Sequence, residues 1–425
     1  MDVKRVVAKS DTFTAILNDC VDELMRPEVI EALKRDAVEF NRLKPEMRPL
    51  NDPPIHDGHT DNSVDMILTS IPFGNQYEYS PSYRDMGHNS NNVEFFKQMD
   101  FLVPNLLRVL RPGRIAAIHT KDRIRFGSAT GFGMPTVDRF SDQTCDCFEK
   151  HGFKFIGRIT IDTDVVRENA QTYRLGWSEN AKDSSKMGCG MPEYVLLFRK
   201  LPTDTSNAYA DVPVTKDKEI YLRSDWQLDA AGFWRSSGNR LPDPDYLAQM
   251  DMQAIGAWWR DYCLKGGYDY KEHVKLAKIL EGQGRLPASF MLFPPISRNK
   301  DVWTDIARMR TLNSEQERNQ ARKHLCPLAL DLIERLVTRY TNEGEIVLDP
   351  FAGIFSVPYM AVKMGRIGVG IELSEEYWRN GVGYCEMAEQ KATAPTLFDM
   401  SQFKSEKAGK EDVFGAMADG NPVED

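Results

Sequence analysis

The chain is 425 residues long, enough for two or three domains or for one large core carrying an insertion. With 41% hydrophobic and 28% charged residues it has the make-up of an ordinary soluble globular protein; no apolar run approaches the roughly 20 residues of a membrane span, and the MDVKRVVAKS start lacks the apolar stretch of a secretion signal, so a cytoplasmic protein away from membranes is expected. The formal net charge of −9 taken alone argues against a nucleic-acid partner, but Arg108, Arg111, Arg114, Lys121, Arg123 and Arg125 crowd into residues 108–125, and binding needs a local basic surface rather than a basic total. A solvated charged face is the competing reading of that stretch.

In chain order, Phe13 to Leu17 reads as a short strand that turns at Asn18-Asp19-Cys20, and Pro45–Asp61 reads as loop. Val64 to Leu68 is a second strand, ending at Thr69-Ser70. Asn91–Leu110 places Phe95, Met99, Leu102, Leu106 and Leu110 three or four residues apart, the period of a helix with one apolar face, and Arg111-Pro112-Gly113 is expected to stop it. Ile115 to Ile118 is a strand, Phe140–His151 a helix capped by Gly152, and 154–162 and 194–199 further strands. Residues 201–300 mix polar and aromatic residues without this alternation and read as a separate module. Pro327–Tyr340 returns as an amphipathic helix, Glu345–Leu348 and Ile367–Ile371 as strands, and the polar residues from 393 to 425 as a disordered tail. Alternating strands and helices imply an α/β fold with a largely parallel sheet. The seven scattered cysteines lack zinc spacing, since Cys145-Asp146-Cys147 is the only close pair, so reduced thiols and no metal are expected.

The segment VLDPFAGIFSVPYMAVKMGRIGVGIELS, 347–374, reads as strand, glycine turn, helix, strand and carboxylate. In a doubly wound sheet this order puts a backbone-lined crevice at the carboxyl end of the strand. Gly353 allows close backbone approach to a ligand, and Glu372, 19 residues further on, can accept both hydroxyls of a ribose. The Asp-Pro-Phe-Ala-Gly string with Ile-Glu-Leu downstream resembles motifs I and II of the DNA methyltransferases that methylate exocyclic amino groups. The resemblance implies a Rossmann-like S-adenosylmethionine-dependent methyltransferase fold, with S-adenosylmethionine held by Asp19, Cys20, Asp349, Pro350, Phe351, Ala352, Gly353, Glu372 and Leu373. Within that set Phe351 and Gly353 would shape the methionine pocket, Glu372 would hold the ribose and Asp19 would contact the adenine. Phe355 stands where the family usually has a second glycine. A side chain blocking the site there would leave a DNA-binding module without catalysis, the competing expectation.

The second constellation is VDMILTSIPFGNQYEYS, 64–80, in which a strand ends at Ser70-Ile71-Pro72-Phe73. It resembles the family's catalytic loop, Asp/Asn/Ser-Pro-Pro-Tyr/Phe, with Ile71 in place of the first proline. A base amino nitrogen is a poor nucleophile because its lone pair is delocalised into the ring. The Ser70 hydroxyl and the Ile71 carbonyl would accept its two hydrogens and turn the lone pair towards the methyl donor, with orientation supplying much of the effect. Pro72 would stiffen the loop, and Phe73 would stack on a base flipped out of the duplex.

Further matches run through 101–122, 191–200 and 323–336, so that the resemblance covers most of 10–200 and 300–390. The catalytic loop precedes the cofactor loop, as in the circularly permuted, β-type members. That order implies a catalytic half at 10–200, an inserted target-recognition region at 201–300 and a cofactor-binding half at 301–392. Candidate contacts to double-stranded DNA are Tyr77, Tyr79, Arg123, Arg125, Trp234 and Arg235, with Tyr83, Arg84, Trp226, Arg240, Trp258, Trp259 and Arg260 as further possibilities beside core packing and solvated surface. Methylation at cytosine C5 is excluded by the lack of a Pro-Cys dipeptide, and zinc deamination by the lack of His-x-Glu and Cys-x-x-Cys. Serine at the first loop position is commoner among the N4-cytosine members, so N4-cytosine is expected over N6-adenine. A solitary enzyme of a bacterium or phage fits the lack of a nuclease motif. Recognition sequence and oligomeric state stay open.

Overall fold

The computed structural model describes residues 4–24, 62–72, 74, 82, 84–89, 91–125, 127–162, 181–183, 185, 191–223, 225–226, 249–261, 270–286, 301–304, 306–308, 310–312 and 327–393. Phe73, Tyr77, Tyr79, Tyr83, Trp234, Arg235, Arg240, the side chains of Trp259 and Arg260 and the tail from 394 lie outside this set.

Among the described residues one nine-stranded sheet organises the chain. Its strands are β1 (Val6–Lys9), β2 (Phe13–Leu17), β3 (Val64–Ser70), β4 (Leu110–Lys121), β7 (Lys154–Ile161), β8 (Glu193–Arg199), β9 (Val302–Trp303), β10 (Ile346–Asp349) and β11 (Ile367–Glu372), in the spatial order β1-β2-β11-β10-β3-β4-β8-β7-β9. A separate two-stranded ribbon pairs β5 (Arg123–Arg125) with β6 (Thr136–Asp138). The five strands from β2 to β4 run parallel. β8 lies antiparallel to both β4 and β7, and β1 antiparallel to β2, so the sheet is mixed at its edges.

Alternation along each strand explains the layering. On β3, Ile67 faces α1 (Cys20–Leu24), α2 (Asn92–Val109) and α3 (Phe140–Lys150), within a core that includes Phe95, Leu102 and Phe148. Its neighbours Met66 and Leu68 face the opposite layer, where Leu332, Ile333 and Leu336 of α6 (Leu330–Tyr340) meet Val357 and Met360 of α7 (Ser356–Lys363). A third cluster joins Phe13 and Ala15 of β2 to Phe355 and to Cys385 and Ala388 of α8 (Glu375–Thr393). Two further helices, α4 (Met252–Asp261) and α5 (Tyr270–Gly282), come from the 201–300 stretch.

The helix stops just ahead of Arg111-Pro112-Gly113, as expected: α2 ends at Val109, and β4 starts at Leu110 in extended conformation. The ladder with β3 jumps from Val64↔Leu110 to Met66↔Ile115, so the Arg-Pro-Gly residues bulge out of a continuing strand. One expectation needs correction, for 108–125 is not one basic surface. Arg108 donates to the Leu24 carbonyl, Arg111 pairs with Asp65 at 3.1 Å, and the buried Arg114 donates to Glu345 Oε1 at 2.8 Å. Arg123, also buried, lies 3.9 Å over the Phe140 ring. Arg125 is exposed. The strand spreads these cations over its length, and most are used up in internal bonds.

Candidate active site

The carboxyl ends of β2, β11, β10 and β3 share one edge of the sheet, because these strands are parallel and in register. The chain leaves β10 through α7 towards β11 on one side, while β3 leads through α2 to β4 on the other. The crevice above β10 and β3 is therefore a switch point, where open α/β sheets bind ligands. The two loops that meet here stand 280 residues apart at the hydrogen bond joining them, from Thr69 Oγ1 to Asp349 Oδ1, at 2.6 Å.

A cavity of about 630 Å³, counting its open mouth, lies over this edge. Pro350, Phe351 and Gly353 form one wall, Glu372 and Leu373 the next, Asp19 and Cys20 a third, and Pro72 borders it from the loop after β3. Gly353 has φ +53°, a left-handed turn that an L side chain rarely adopts, and its N–H donates to Glu372 Oε2 at 2.8 Å. Ser374 N–H donates to Glu372 Oε1 at 2.7 Å. Each carboxylate oxygen thus has one backbone donor and a lone pair to spare, which fits the two hydroxyls of a ribose. Burial, reinforced by Asp85 and Asp349, pushes Glu372 up to about 8 against those two hydrogen bonds.

Asp19 caps α1: its Oδ1 accepts from Val21 N–H at 2.8 Å and from Asp22 N–H at 3.1 Å. It is a turn aspartate and a cavity residue at once. Burial raises its carboxyl above the ordinary value despite the two N–H bonds. Cys20 is buried, and burial pushes its thiol well up, which makes it an apolar wall rather than a nucleophile.

Asp349 and Ala352 are not among the cavity-lining residues. Asp349 lies beneath, its Oδ1 taking Thr69 Oγ1 and Phe351 N–H (3.0 Å), and burial pushes it up to about 7. Ala352 N–H donates to the Ile371 carbonyl, which stitches the turn to β11. Both act on the shape of the loop. Lining residues not among the expected cofactor contacts are Asn18, Asp85, Met86, Ile371 and Tyr377. Arg84, whose role the sequence left undecided, lines the cavity and pairs with Asp22. Asp85 carries the one local signal, a cap whose Oδ1 accepts from Gly87 N–H at 2.8 Å.

Phe355 does not enter the cavity. It sits at φ 66°, ψ 35°, in left-handed backbone at the start of α7, and is fully buried. Its ring lies against two glycines, such that a Cβ built on Gly370 would be 2.6 Å from Cε1 and one on Gly381 only 2.1 Å from Cδ2. The bulky side chain points into the layer between β11 and α8, and the backbone keeps the turn that glycine usually supplies.

On the Ser70-Ile71-Pro72 loop, the Ile71 side chain is buried in the core and Ile71 N–H donates to the His119 carbonyl at 3.3 Å. Ser70 is partly exposed, with its Oγ 2.9 Å from His119 Nδ1. Further along the chain, Trp226 is exposed and Trp258 half-buried. Asp100, Cys147 and His151 bring three ligand-type atoms within 4.8 Å, but Asp100 is already bound by Lys150 at 2.6 Å and His151 at 2.7 Å, and burial pushes the Cys147 thiol up to about 12.

The family model for DNA methylases that act at N6 or N4 matches residues 64–382, well over half the chain. The chain belongs to this family. It is 30% identical over 147 residues to the DNA adenine methyltransferase YhdJ of Escherichia coli K12, covering 33% of this chain and 47% of that protein. It is 32% identical over 91 residues to the type II methyltransferase M.BamHI of Bacillus amyloliquefaciens, covering 21% and 18%. The chain thus spans less than half the length of these relatives. Among solved structures, the putative DNA modification methylase TTHA0409 of Thermus thermophilus, complexed with S-adenosyl-L-methionine, aligns over 77% of this chain and 89% of that one, at 18% identity and a TM-score of 0.40.

Proposed function

We propose that this chain is an S-adenosylmethionine-dependent DNA methyltransferase acting on the exocyclic amino group of a base flipped out of double-stranded DNA, with N4 of cytosine as the favoured target. The observation that carries the reading is the bond between Thr69 and Asp349, which holds the Ser70 loop beside the cavity walled by Gly353 and Glu372. Glu372 accepts the ribose hydroxyls, Asp19 faces the adenine, and Pro350, Phe351 and Gly353 shape the methionine end. When bound, the cofactor supplies an electrophilic sulfonium methyl group. Ser70 Oγ and the Ile71 carbonyl orient the amino nitrogen, and Pro72 holds the loop against the cavity. Residues 201–300 serve as the target-recognition region between the two halves. No helix among the described residues is long and apolar enough to cross a membrane, in keeping with an enzyme of the bacterial or phage-infected cytoplasm.

N6 of adenine is the second reading, favoured by the name of the E. coli relative. Mass spectrometry of nucleosides from duplex DNA incubated with the chain and isotopically labelled cofactor decides between them. Labelled N4-methylcytosine is expected; N6-methyladenine alone overturns the cytosine assignment, and no labelled base overturns both. Ser70→Ala should abolish labelling and leave calorimetric cofactor binding intact.

A further inference from the structure

Three neighbouring strands present a chain of polar side chains that leads away from the catalytic loop. Ser70 ends β3 and is paired in register with His119 of β4. Glu193 begins β8, diagonal to His119 in a ladder that pairs His119 with Val195 and Lys121 with Glu193. Ser70 Oγ lies 2.9 Å from His119 Nδ1, His119 Nε2 lies 3.1 Å from Glu193 Oε2, and Arg308 donates to Glu193 Oε1 at 2.6 Å. His119 is 7% exposed, so water does little to compete for these bonds.

We infer that His119, oriented by Glu193 and Arg308, is a positioning residue that makes Ser70 Oγ an obligatory hydrogen-bond acceptor and takes up its proton during methyl transfer. This rests on the reading of Ser70 as the residue that binds the target amino group. An ionised carboxylate can only accept, so His119 Nε2 carries the hydrogen towards Glu193, and in the neutral ring Nδ1 is left with a lone pair. Arg308, 2.6 Å from Glu193 Oε1, keeps the carboxyl ionised and accepting. The Ser70 hydroxyl hydrogen therefore points at Nδ1, and its oxygen lone pairs face the loop. A serine left to rotate would donate to the amino nitrogen part of the time and occupy the lone pair that must attack.

The same chain disposes of the proton that the methylated nitrogen sheds. The N–H bond breaks with its electron pair staying on nitrogen, and the proton passes to Ser70 Oγ as the hydroxyl proton passes to His119 Nδ1. The resulting imidazolium faces the Glu193 carboxylate. His119 returns the proton to solvent after product leaves.

Two isosteric variants separate this role from simple packing. In His119→Asn the amide oxygen takes the place of Nδ1 and still accepts from Ser70, whereas in His119→Gln the amide reaches Glu193 and leaves Ser70 without an acceptor. On duplex DNA, kcat should fall about 10²-fold in His119→Ala and His119→Gln with little change in KM, and His119→Asn, which can hold the Ser70 hydroxyl but cannot take its proton, should recover only part of the loss. Equal activity of the Asn and Gln variants, or a loss confined to KM, overturns the inference.

Nitrogen-15 spectra of histidine-labelled full-length protein near neutral pH give a readout independent of activity. The ring hydrogen facing Glu193 should sit on Nε2, and Ser70→Ala should move the Nδ1 resonance alone. A hydrogen on Nδ1 overturns the inference even in an active enzyme. A chain that shows the expected tautomer but methylates no DNA overturns the functional reading, and with it the proton uptake, while leaving the hydrogen-bond chain standing.

Discussion

Replacing Gly381 by alanine tests where the Phe355 ring points, and so whether the turn at Gly353 is left clear of it. Gly381 lies within α8, where a glycine-to-alanine change ordinarily gains about 1 kcal/mol from helix propensity. Here the new Cβ would stand 2.1 Å from Cδ2 and 2.4 Å from Cγ of a ring that is fully buried. The inner part of the ring cannot swing away as the end of a flexible chain could, since its backbone is fixed at the start of α7. Overpacking of this kind costs about 3 kcal/mol, so the single variant should lose about 2 kcal/mol net. Phe355→Ala removes the ring and should cost about 3–5 kcal/mol for burial and cavity. In that background the ring contacts are gone and only the Cβ of residue 355 stays close, at 2.9 Å, which offsets the helix-propensity gain; Gly381→Ala should then be near neutral, a coupling of about 2 kcal/mol. Urea denaturation of the four proteins, followed by tryptophan fluorescence, measures the cycle. A coupling below about 0.5 kcal/mol would refute the placement of the ring. Calorimetry on folded Phe355→Ala should find S-adenosylmethionine binding within about threefold of the parent, because the ring lies outside the cavity; a loss beyond about tenfold (roughly 1.4 kcal/mol) would put the ring in the site.

Other consequences concern the carboxylates and the buried cations. Glu372, pushed up to about 8 from an ordinary 4.5, keeps in the folded state a proton that the unfolded chain releases. Between these values the folded state binds more protons, so stability falls as pH rises through the window and levels off above it. Thermal melts of the ligand-free chain from pH 5 to 9 should show this fall, shallower in Glu372→Gln but not absent, because Asp349 (about 7) contributes with the same sign; identical slopes would contradict it. Thr69→Val should cost roughly 1–3 kcal/mol in urea denaturation and weaken cofactor binding, since it strips the 2.6 Å bond from the carboxyl that also holds Phe351 N–H. Arg114→Ala should lose about 3–5 kcal/mol by leaving Glu345 without its buried cation, while Asp65 keeps Arg111. Methyl transfer per folded molecule should not change, as Arg114 lies near the start of β4 and His119 near its end.

Much of the site was legible in the sequence because its signals are local. Strand 346–349, the turn at Gly353, helix 356–363 and strand 367–372 announce themselves through apolar runs, a glycine and a carboxylate within one supersecondary unit. The same holds for β3 and its Ser70 loop, and for α2, whose apolar period and Asn91 cap are written in adjacent turns. These features depend on backbone propensity and on burying one face, which neighbours in sequence largely decide.

What tertiary structure alone decided involves partners far apart in the chain. Phe355 reads as an obstruction until Gly370 and Gly381 are seen to make room for its ring, and the residues 108–125 read as a basic surface until Asp65 and Glu345 are found beside Arg111 and Arg114. His119 and Glu193 are unremarked strand residues 74 positions apart, and only the β4–β8 ladder lines them up behind Ser70. Side-chain direction and charge pairing are set by which strands lie next to each other. That adjacency follows from burying both faces of the whole sheet, a property that no single segment of the chain encodes.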